Sequence, residues 1–288
     1  MNEKWHSTLL HLRIPFSIFL LPIFFMALIP IQYINSRILP VFIIFHILLY
    51  PASNGFNSFF DRDEGPIGGL ANPPPVNISL LIVSLLFDLL AIVWAYLITP
   101  EFALLAFIYG LGSKLYSWDR IRIKRLPIVG WIWTGLGQGI FTFLAMAAVL
   151  GGRGFFSLDA ATYRVSFLVT AFILGIYPLT QVYQHEEDAL RGDMTISRLL
   201  GVRGTFILSA SFLSVAMAGI FFWLYRAEGF FWASIFVAVQ LPSMIYFVFW
   251  AVGVFRDERR ATHKSAMSMN IIASTLISSF FICFLIFR

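Results

Sequence analysis

The sequence predicts an all-α, polytopic membrane protein that forms a single domain over residues 1–288. Hydrophobic residues make up 59% of the chain and charged residues only 12%, whereas about a quarter of the residues in a soluble domain are charged. Apolar stretches of about 20 residues, the length that spans a bilayer as a helix, recur from one end of the chain to the other. The single cysteine excludes an internal disulfide.

Hydropathy predicts about nine spanning helices. In chain order they cover residues 14–33, 38–60, 78–98, 101–117, 128–149, 164–184, 204–225, 230–253 and 267–287. The first is longer than the core of a typical signal peptide and is followed by no convincing cleavage site, so we expect it to be retained. Gly110 and Gly112 interrupt the fourth helix, as Gly135 and Gly137 interrupt the fifth. Glycines at such spacing let helices approach closely.

The basic residues predict the orientation of these helices. Lys and Arg gather on the side of the N-terminus, above all in the loops 114–125 and 256–264, and are sparse on the other side. The positive-inside rule therefore places the N-terminus and these loops in the cytoplasm, with the protein integral to the inner (plasma) membrane. The net charge of +5, placed in this way, fits membrane lipids and an anionic ligand, and not nucleic acid.

Acidic residues are concentrated in two short stretches that directly follow the second and sixth predicted helices. The two stretches hold nearly half of the acids of the chain: Asp61, Asp63, Glu64, Glu186, Glu187, Asp188 and Asp193. Asn57 lies four residues before Asp61, and Gln184 lies four residues before Asp188, so each pair can share one helix face and reach one ion. Acids at a helix end also simply mark its entry into water, but the repetition of one design in two places favours a metal site.

A basic loop lies between the two acidic stretches and, by the predicted topology, on the same side of the membrane. Its cations are Lys114, Arg120, Arg122, Lys124 and Arg125. Such a loop either contacts lipid headgroups or donates hydrogen bonds to phosphate oxygens of a ligand. Mg²⁺ is typically bound by one or two carboxylates together with substrate phosphates. Two acidic clusters beside these cations therefore suit a Mg²⁺-bridged diphosphate, and the membrane setting suits a diphosphate that carries a long apolar chain.

These residues make the chain resemble the UbiA superfamily of intramembrane prenyltransferases. The first motif of that family reads N-D-x-x-D-x-x-x-D, and the corresponding residues here are Asn57-x-x-x-Asp61-x-x-x-Gly65. The second motif reads D-x-x-x-D-x-x-x-G-x-x-T, and the corresponding residues are Gln184-x-x-x-Asp188-x-x-x-Gly192-x-x-Thr195. Both motifs depart from the family pattern, because Gly65 and Gln184 stand where the family has aspartate.

Two further features carry the resemblance over nearly the whole chain. The loop from Tyr116 to Arg125 is similar to the Y-S-x-P-P-x-R-x-K-R loop of the quinone and chlorophyll branches. Arg13, at the start of the first predicted helix, resembles the first-helix arginine of the family. The basic residues that commonly follow the first motif are missing from the segment 65–75.

The resemblance implies about nine helices around a central cavity that faces the cytoplasm, and Mg²⁺-dependent transfer of an isoprenoid chain from a prenyl diphosphate to a lipid-soluble acceptor of aromatic or quinone type. The catalytic residues it implies are Asn57, Asp61, Asp188, Lys124 and Arg122. The metal ligands it implies, extended to neighbouring acids, are Asn57, Asp61, Glu64, Gln184, Glu187 and Asp188. The substrate contacts we expect are Arg13, Lys114, Tyr116, Tyr183, Gln184 and Arg120.

Two other functions compete with prenyl transfer. A membrane terpene cyclase of the same superfamily would ionise the same diphosphate and fold the chain back on itself. A transporter or channel would use the acids as an ion path, but its binding site is expected near the middle of the membrane, and not at helix ends on one side. Asp88 within the third predicted helix and His185 beside the second acidic stretch each have a functional interpretation, as an intramembrane charge and as a base. The structural alternatives are a neutral Asp88 that is hydrogen-bonded to a neighbouring helix and a His185 that merely lies at a helix end.

Overall fold

The computed structural model describes residues 3–31 and 35–288, and this part of the chain is built from helices and their connections. Nine long helices follow one another: α1 Glu3–Ala27, α2 Ile38–Asp61, α3 Ile78–Ile98, α4 Pro100–Ser117, α5 Pro127–Gly151, α6 Ala160–Thr180, α7 Ile196–Glu228, α8 Phe230–Arg256 and α9 His263–Phe287. All of them except α4 are both long and apolar enough to cross a membrane. The all-α, polytopic architecture predicted from the sequence is confirmed.

The first helix begins earlier than hydropathy predicts. The structure places its start at Glu3 rather than at residue 14, and a break at Arg13, which has a φ of 47°, divides it in two. Hydropathy misses the segment Glu3–Leu12 because it is amphipathic, with the polar side chains of Ser7, Thr8 and His11 buried. The predicted end at residue 33 lies outside the described residues.

Short polar side chains begin several of the helices. Asn77, Thr99, Asp159, Thr195 and Thr262 each accept a hydrogen bond from a backbone N–H of the first turn of α3, α4, α6, α7 and α9. Such caps satisfy N–H groups that have no partner inside the helix. The cap at Thr195 starts α7 eight residues before the predicted residue 204, and a break at Gly201, where φ is 68°, separates this first turn from the long apolar part.

The helices form a ring in which each contacts the next, and α9 returns to α1. The C-terminal part of α1, Leu21–Ala27, also contacts the Thr142–Gly151 part of α5. The outer faces of α7 and α8 carry exposed apolar side chains, as expected where a helix meets lipid. The interior of the ring holds polar side chains that come from several of these helices.

Two helices that border this interior contain a π-helical turn. The turn in α2 covers Ile44–Leu49, and the turn in α5 covers Leu136–Phe141. A π-turn inserts one extra residue into the helix and changes the direction in which the following side chains point. In α5 it presents Leu136, Gly137 and Gln138 to the central space.

Candidate active site

A cavity of about 630 Å³ lies inside the ring. One end carries polar and charged side chains, among them Asn57 and Asp61 of α2 and Gln184 and Asp188 of the second acidic stretch. The remaining wall is largely apolar and aromatic and includes Phe16, Phe19, Ile108, Phe141, Leu144 and Ile173. The two amide–carboxylate pairs, far apart in the sequence, thus border one space with a charged end and an apolar depth.

The segment that follows the first motif is hydrogen-bonded to α1 and to the start of α9, and its residues Ile67 and Gly68 line the cavity. His11 Nε2 lies 2.7 Å from the carbonyl oxygen of Pro74, and His263 Nε2 lies 2.9 Å from that of Ile67. Arg13 Nη1 donates to the carbonyl of Gly68 at 3.1 Å. The break of α1 at Arg13 brings its guanidinium to the cavity wall, where Nε has no hydrogen-bond partner. The expected substrate contact Arg13 therefore faces the cavity.

Asp61 is buried at the end of α2 and is held by two cations of the basic loop. Arg122 Nη2 lies 3.1 Å from Asp61 Oδ1, and Lys124 forms an ion pair with the same carboxylate. One turn earlier, Asn57 Oδ1 accepts a hydrogen bond of 2.7 Å from Ser117 Oγ at the end of α4. The basic loop is thus fixed against α2, and Lys124 belongs to the cavity wall together with Asp61.

Arg122 has a different placement from the one expected for a direct phosphate donor. It is buried, it does not line the cavity, and its guanidinium is shared among three carboxylates. Nε lies 2.7 Å from Asp193, Nη1 lies 2.8 Å from Asp119, and Nη2 contacts Asp61. Burial lowers the pKa of Arg122, but these carboxylates outweigh burial and leave the pKa above its ordinary value. Its guanidinium therefore braces three chain segments behind the cavity.

Asp188, by contrast, lines the cavity without an ion pair among the described residues. It lies in the short helix His185–Leu190, and its carboxylate accepts a hydrogen bond of 3.2 Å from Thr195 Oγ1. Burial raises the pKa of Asp188 to about 6; Asp193 and Asp61 add to this effect, and Lys124 opposes it. Of the acids expected to bind metal, Asp188 is the one that lines the cavity without an ion pair in the described part of the chain.

Glu64 and Glu187, which were also expected to bind metal, lie outside the cavity wall in this structure. Glu64 is exposed and lies outside the cavity wall. Glu187 Oε1 accepts hydrogen bonds from the backbone N–H groups of Glu64, at 3.0 Å, and of Gly65, at 2.5 Å. Through these two hydrogen bonds, the Glu187 carboxylate connects the second acidic stretch to the first.

Gln184 lines the cavity as expected, and its Nε2 reaches the carbonyl of Pro66 at 3.5 Å. Asp63 also lines the cavity and forms an ion pair with Arg191. Burial raises the pKa of Asp63, and Asp61 adds to this, while Arg191 and Lys124 lower it. These contacts again connect the first acidic stretch with the second.

Two other cations of the basic loop lie away from the cavity. Lys114 forms an ion pair with Asp88 of α3 and does not line the cavity wall. Asp88 thus contacts a neighbouring helix, as its structural interpretation expects, but through an ion pair with Lys114. Arg120 is exposed and stacks on Trp118, with its guanidinium 5.7 Å from the ring centroid. The sequence could not separate these cations from Lys124, since all lie in one loop.

The polar side chains of the wall include residues that the motifs did not identify. Tyr116 and Tyr177 share a hydrogen bond through their hydroxyl groups, and Gln181 Nε2 donates to Tyr177 at 3.3 Å. Tyr183, an expected substrate contact, also lines the cavity, and its buried hydroxyl has no partner. Gln181 and Tyr177 precede Gln184 by three and seven residues, so helical spacing from the second motif would have pointed to them.

His185 does not reach the cavity wall. Its Nε2 lies 2.7 Å from Ser197 Oγ in the first turn of α7. Burial lowers its pKa, with a further lowering from Arg198. His185 therefore joins the short helix to α7, a placement that fits a helix-end residue better than a base that acts in the cavity.

Known structures share this architecture. A UbiA homolog from Archaeoglobus fulgidus bound to GPP and Mg²⁺ is 18% identical, with a TM-score of 0.68 over 96% of this chain and 98% of that one. The same homolog bound to DMAPP and Mg²⁺ gives a TM-score of 0.67 at 18% identity, over 98% and 100% of the two chains. The apo structure of a UbiA homolog from Aeropyrum pernix K1 gives 0.69 at 16% identity, over 94% and 98%. At these identities the likeness concerns the fold.

The sequence itself gives the more specific comparison. A search of curated proteins finds no match. The family model described as the UbiA prenyltransferase family, however, matches residues 18–275, which is most of the chain and includes both acidic stretches. Together with the ring of apolar helices, this match establishes that the chain is an integral membrane protein of the UbiA prenyltransferase family.

Proposed function

We propose that this protein transfers an isoprenoid chain from a prenyl diphosphate to a lipid-soluble acceptor, with Mg²⁺ as cofactor. The observation that carries the proposal is the single cavity bordered at one end by Asn57, Asp61, Gln184 and Asp188 and continued by an apolar wall. A prenyl diphosphate has the same division into a charged head and an apolar tail. The homologous structures whose bound molecules are GPP or DMAPP with Mg²⁺ support the same substrate class.

The donor set fits a magnesium ion that is shared with the substrate. Among the described residues, no three His, Cys, Asp or Glu side chains are grouped closely enough to hold a metal by themselves. Mg²⁺ does not need such a group when phosphate oxygens complete its coordination. Asp188, with no cation of its own, and Asp61, with Asn57 and Gln184 beside them, are the residues that would hold it. Bound there, Mg²⁺ would neutralise charge on the diphosphate and make it a better leaving group.

The side chains around the diphosphate would act as fixed donors. The Tyr183 hydroxyl and Arg13 Nε are buried without partners, so each has a hydrogen bond to give to a phosphate oxygen. Lys124 lines the same end of the cavity, where it is paired with Asp61. Donors that are already in place stabilise the charge that grows on the leaving group as the C–O bond breaks.

Transfer exchanges one bond of the prenyl C1 atom for another. The bond between C1 of the prenyl chain and the diphosphate oxygen breaks, and its electron pair leaves with the diphosphate. The acceptor supplies an electron pair for the new bond to C1 and loses a proton to a diphosphate oxygen. The apolar wall excludes water from the allylic cation, and rings such as Phe16 and Trp133 attract that cation by about 0.5–2 kcal/mol each when well placed.

A diphosphate-release assay tests the proposal. Purified protein, given prenyl diphosphates of several lengths, Mg²⁺ and lipid-soluble acceptors, is expected to release diphosphate and form a prenylated acceptor. Release with a cyclic hydrocarbon as product and no need for an acceptor would instead indicate the terpene cyclase. Absence of release with every prenyl diphosphate would contradict both.

Substitution of the two aspartates makes this test specific. We expect Asp188→Asn and Asp61→Asn to lower turnover by about 10²-fold or more, because each removes a charge from the metal and diphosphate end. Asp188→Asn is the cleaner variant, since Asp61 also holds Arg122 and Lys124. Asp257→Asn, on an exposed loop, is the matched control and should keep full activity. Normal turnover in either cavity variant would remove that residue from the metal role.

A further inference from the structure

The apolar depth of the cavity ends at the connection between α5 and α6. Because successive spanning helices run in opposite directions, this connection lies on the side opposite Asp61 and Asp188. Among the described residues of the cavity wall, Phe155 is the one that comes from a connection on that far side, since the others lie in helices or in the connections at the charged end. An apolar chain that starts at the charged end would therefore meet the Phe155 ring at the far end.

The backbone turns back into the bundle directly after α5. Gly152 has a φ of 62°, the left-handed conformation that often ends a helix, and Arg153 N donates at 2.9 Å to a carbonyl in the last turn of α5. This reversal brings the Phe155 ring to Phe141 in the π-helical turn of α5, with ring centroids 5.8 Å apart. The next side chain, Phe156, is 88% exposed and does not line the cavity. Of two neighbouring phenylalanines, one thus faces the cavity and the other faces away from it.

Two hydrogen bonds hold the backbone of Phe155 in this position. Its N–H donates to Oε1 of Glu101, in the first turn of α4, at 2.8 Å. Its carbonyl accepts a hydrogen bond of 3.2 Å from the hydroxyl of Tyr163 in α6. Because both backbone groups of Phe155 are bound to neighbouring helices, an occupant of the cavity cannot push the ring aside without disturbing these bonds.

The side wall between α4 and α5 is the other place where an apolar chain could leave the cavity. The wall residues that are also exposed at the protein surface are Ile108, Trp133 and Leu136. Trp133 bridges the two helices here, because its Nε1 donates to the carbonyl of Gly112 in α4 at 3.1 Å. With this side bridged, the remaining direction for a chain is along α5 toward Phe155.

We infer that Phe155 sets the upper limit of the prenyl chain length that the cavity accepts. This inference rests on the proposed use of a prenyl diphosphate and adds the size of its tail. With the diphosphate held at the charged end, each further isoprene unit moves the end of the tail toward Phe155. A tail that reaches the ring has to compress a packed aromatic contact, which is unfavourable in a close-packed interior. Phe155 is thus a specificity-determining residue, and Glu101 is the positioning residue that holds it.

A binding series measures this limit without turnover. The probes are geranyl, farnesyl, geranylgeranyl and longer prenyl thiolodiphosphates up to octaprenyl, in which sulfur replaces the oxygen between C1 and the diphosphate and slows cleavage. The readout, in the presence of Mg²⁺, is the ligand-induced rise in the unfolding temperature of the full chain in detergent. Wild-type affinity is expected to fall about tenfold or more at one step of the series, where the added unit meets Phe155. A series without such a step would overturn the inference.

Substitutions of Phe155 should move this step in opposite directions. Phe155→Ala is expected to shift it to a longer chain by about one isoprene unit, and Phe155→Trp to a shorter one. A general loss of stability cannot produce opposite shifts. Phe156→Ala is the matched control, because it removes a neighbouring ring that does not line the cavity, and it should keep the wild-type step. An unchanged step in both Phe155 variants would overturn the inference.

Glu101 variants test how the ring is positioned. Glu101→Ala removes the acceptor of the Phe155 N–H and should reduce the fall in affinity at the step about threefold. Glu101→Gln keeps an amide oxygen at this position and should retain the wild-type step. A step that is lost in Trp133→Ala but kept in Phe155→Ala would show that the tail leaves between α4 and α5, and it would overturn the inference.

The transfer assay separates this inference from the proposed function. If acceptor prenylation occurs, Phe155→Ala should raise kcat/KM for the first donor beyond the wild-type step about tenfold relative to the geranyl donor. Active transfer with an unchanged length preference would contradict the length limit alone. Acceptor-independent cyclisation with the step intact would contradict the proposed transfer and leave the limit in place. Absence of Mg²⁺-dependent binding of every probe would contradict both.

Discussion

At the scale of single residues, the cations of the basic loop show how one sequence feature divides into different roles. Lys124 lines the cavity beside Asp61, whereas Arg122, two residues earlier, is shared among Asp61, Asp119 and Asp193. Arg122 has a φ of 47°, a left-handed conformation that turns the chain sharply at this point. The five N–H donors of a guanidinium lie in one plane and can serve several carboxylates at once, which an ammonium group cannot do with the same geometry.

Removal of Arg122 is therefore expected to lower the stability of the fold more than it weakens substrate binding. Arg122→Ala leaves Asp193 and Asp61 buried without their guanidinium partner, and breaking a buried pair in this way costs about 3–5 kcal/mol of stability. Arg122→Lys should recover only part of this loss. Thermal unfolding in detergent and prenyl diphosphate binding, measured on the same preparations, check the prediction.

The exposed Arg125 provides the control for this prediction. Arg125→Ala removes the same charge from the same loop and should change stability by less than about 0.5 kcal/mol. A stable Arg122→Ala protein that no longer binds prenyl diphosphate would contradict the bracing role. It would support the direct diphosphate contact that the family resemblance implied.

At the scale of elements, the two acidic stretches are joined by direct hydrogen bonds and an ion pair. Glu187 accepts from the backbone of Glu64 and Gly65, and Asp63 pairs with Arg191. This arrangement gives a physical reason for the missing aspartate of the first motif. A Cβ atom at Gly65 would lie 3.0 Å from Glu187 Oε1, and a carboxylate there would face the Glu187 charge.

Restoring the family residue at this position is accordingly expected to be harmful. Gly65→Asp should lower stability by about 1–2 kcal/mol through crowding and like-charge repulsion with Glu187. Gly65→Asn has the same shape without the charge, so its smaller loss isolates the steric part. Thermal unfolding of both variants, alone and combined with Glu187→Gln, measures the coupling. If the Gly65 variants lose the same stability with and without Glu187→Gln, then Glu187 is not the reason for glycine at position 65.

At the scale of the whole molecule, the converging loops put the charged end of the cavity on one side of the membrane. The segments that follow α2, α4 and α6 meet there, through contacts such as Arg122 with Asp61 and Asp193. These three segments carry six Lys and Arg residues, whereas the connections that follow α1, α3, α5 and α7 carry only Arg37 and Arg153. We therefore propose that the site opens to the cytoplasm, since positive charges remain on that side.

Cysteine labelling checks this orientation, and the single native cysteine makes the experiment simple. In a Cys283→Ser background, Phe156→Cys, between α5 and α6, and Arg259→Cys, between α8 and α9, place one exposed thiol on each side. In intact cells, a membrane-impermeant maleimide is expected to label only the Phe156→Cys protein. Labelling of the Arg259→Cys protein alone would show the opposite orientation.

Some properties of this protein are local and could be predicted from its sequence. The length of the apolar stretches determined the all-α membrane fold, because a bilayer requires that backbone hydrogen bonds be satisfied within each spanning segment. The four-residue spacing of Asn57 with Asp61 and of Gln184 with Asp188 predicted which side chains could share a helix face. The amphipathic start of α1 was missed, because its buried polar residues Ser7, Thr8 and His11 lower its hydropathy.

Other properties depend on which segments meet, and only the tertiary structure decided them. The sequence could not show that Arg122 forms an ion pair with Asp193 or that Lys114 forms one with Asp88. Nor could it show that Glu187 accepts a hydrogen bond from the backbone N–H of Gly65. It also gave no sign that one end of the Gln181 amide would face the cavity without a partner. The physical reason is that a charge becomes a ligand or a brace according to its nearest neighbours in space, and those neighbours come from distant parts of the chain.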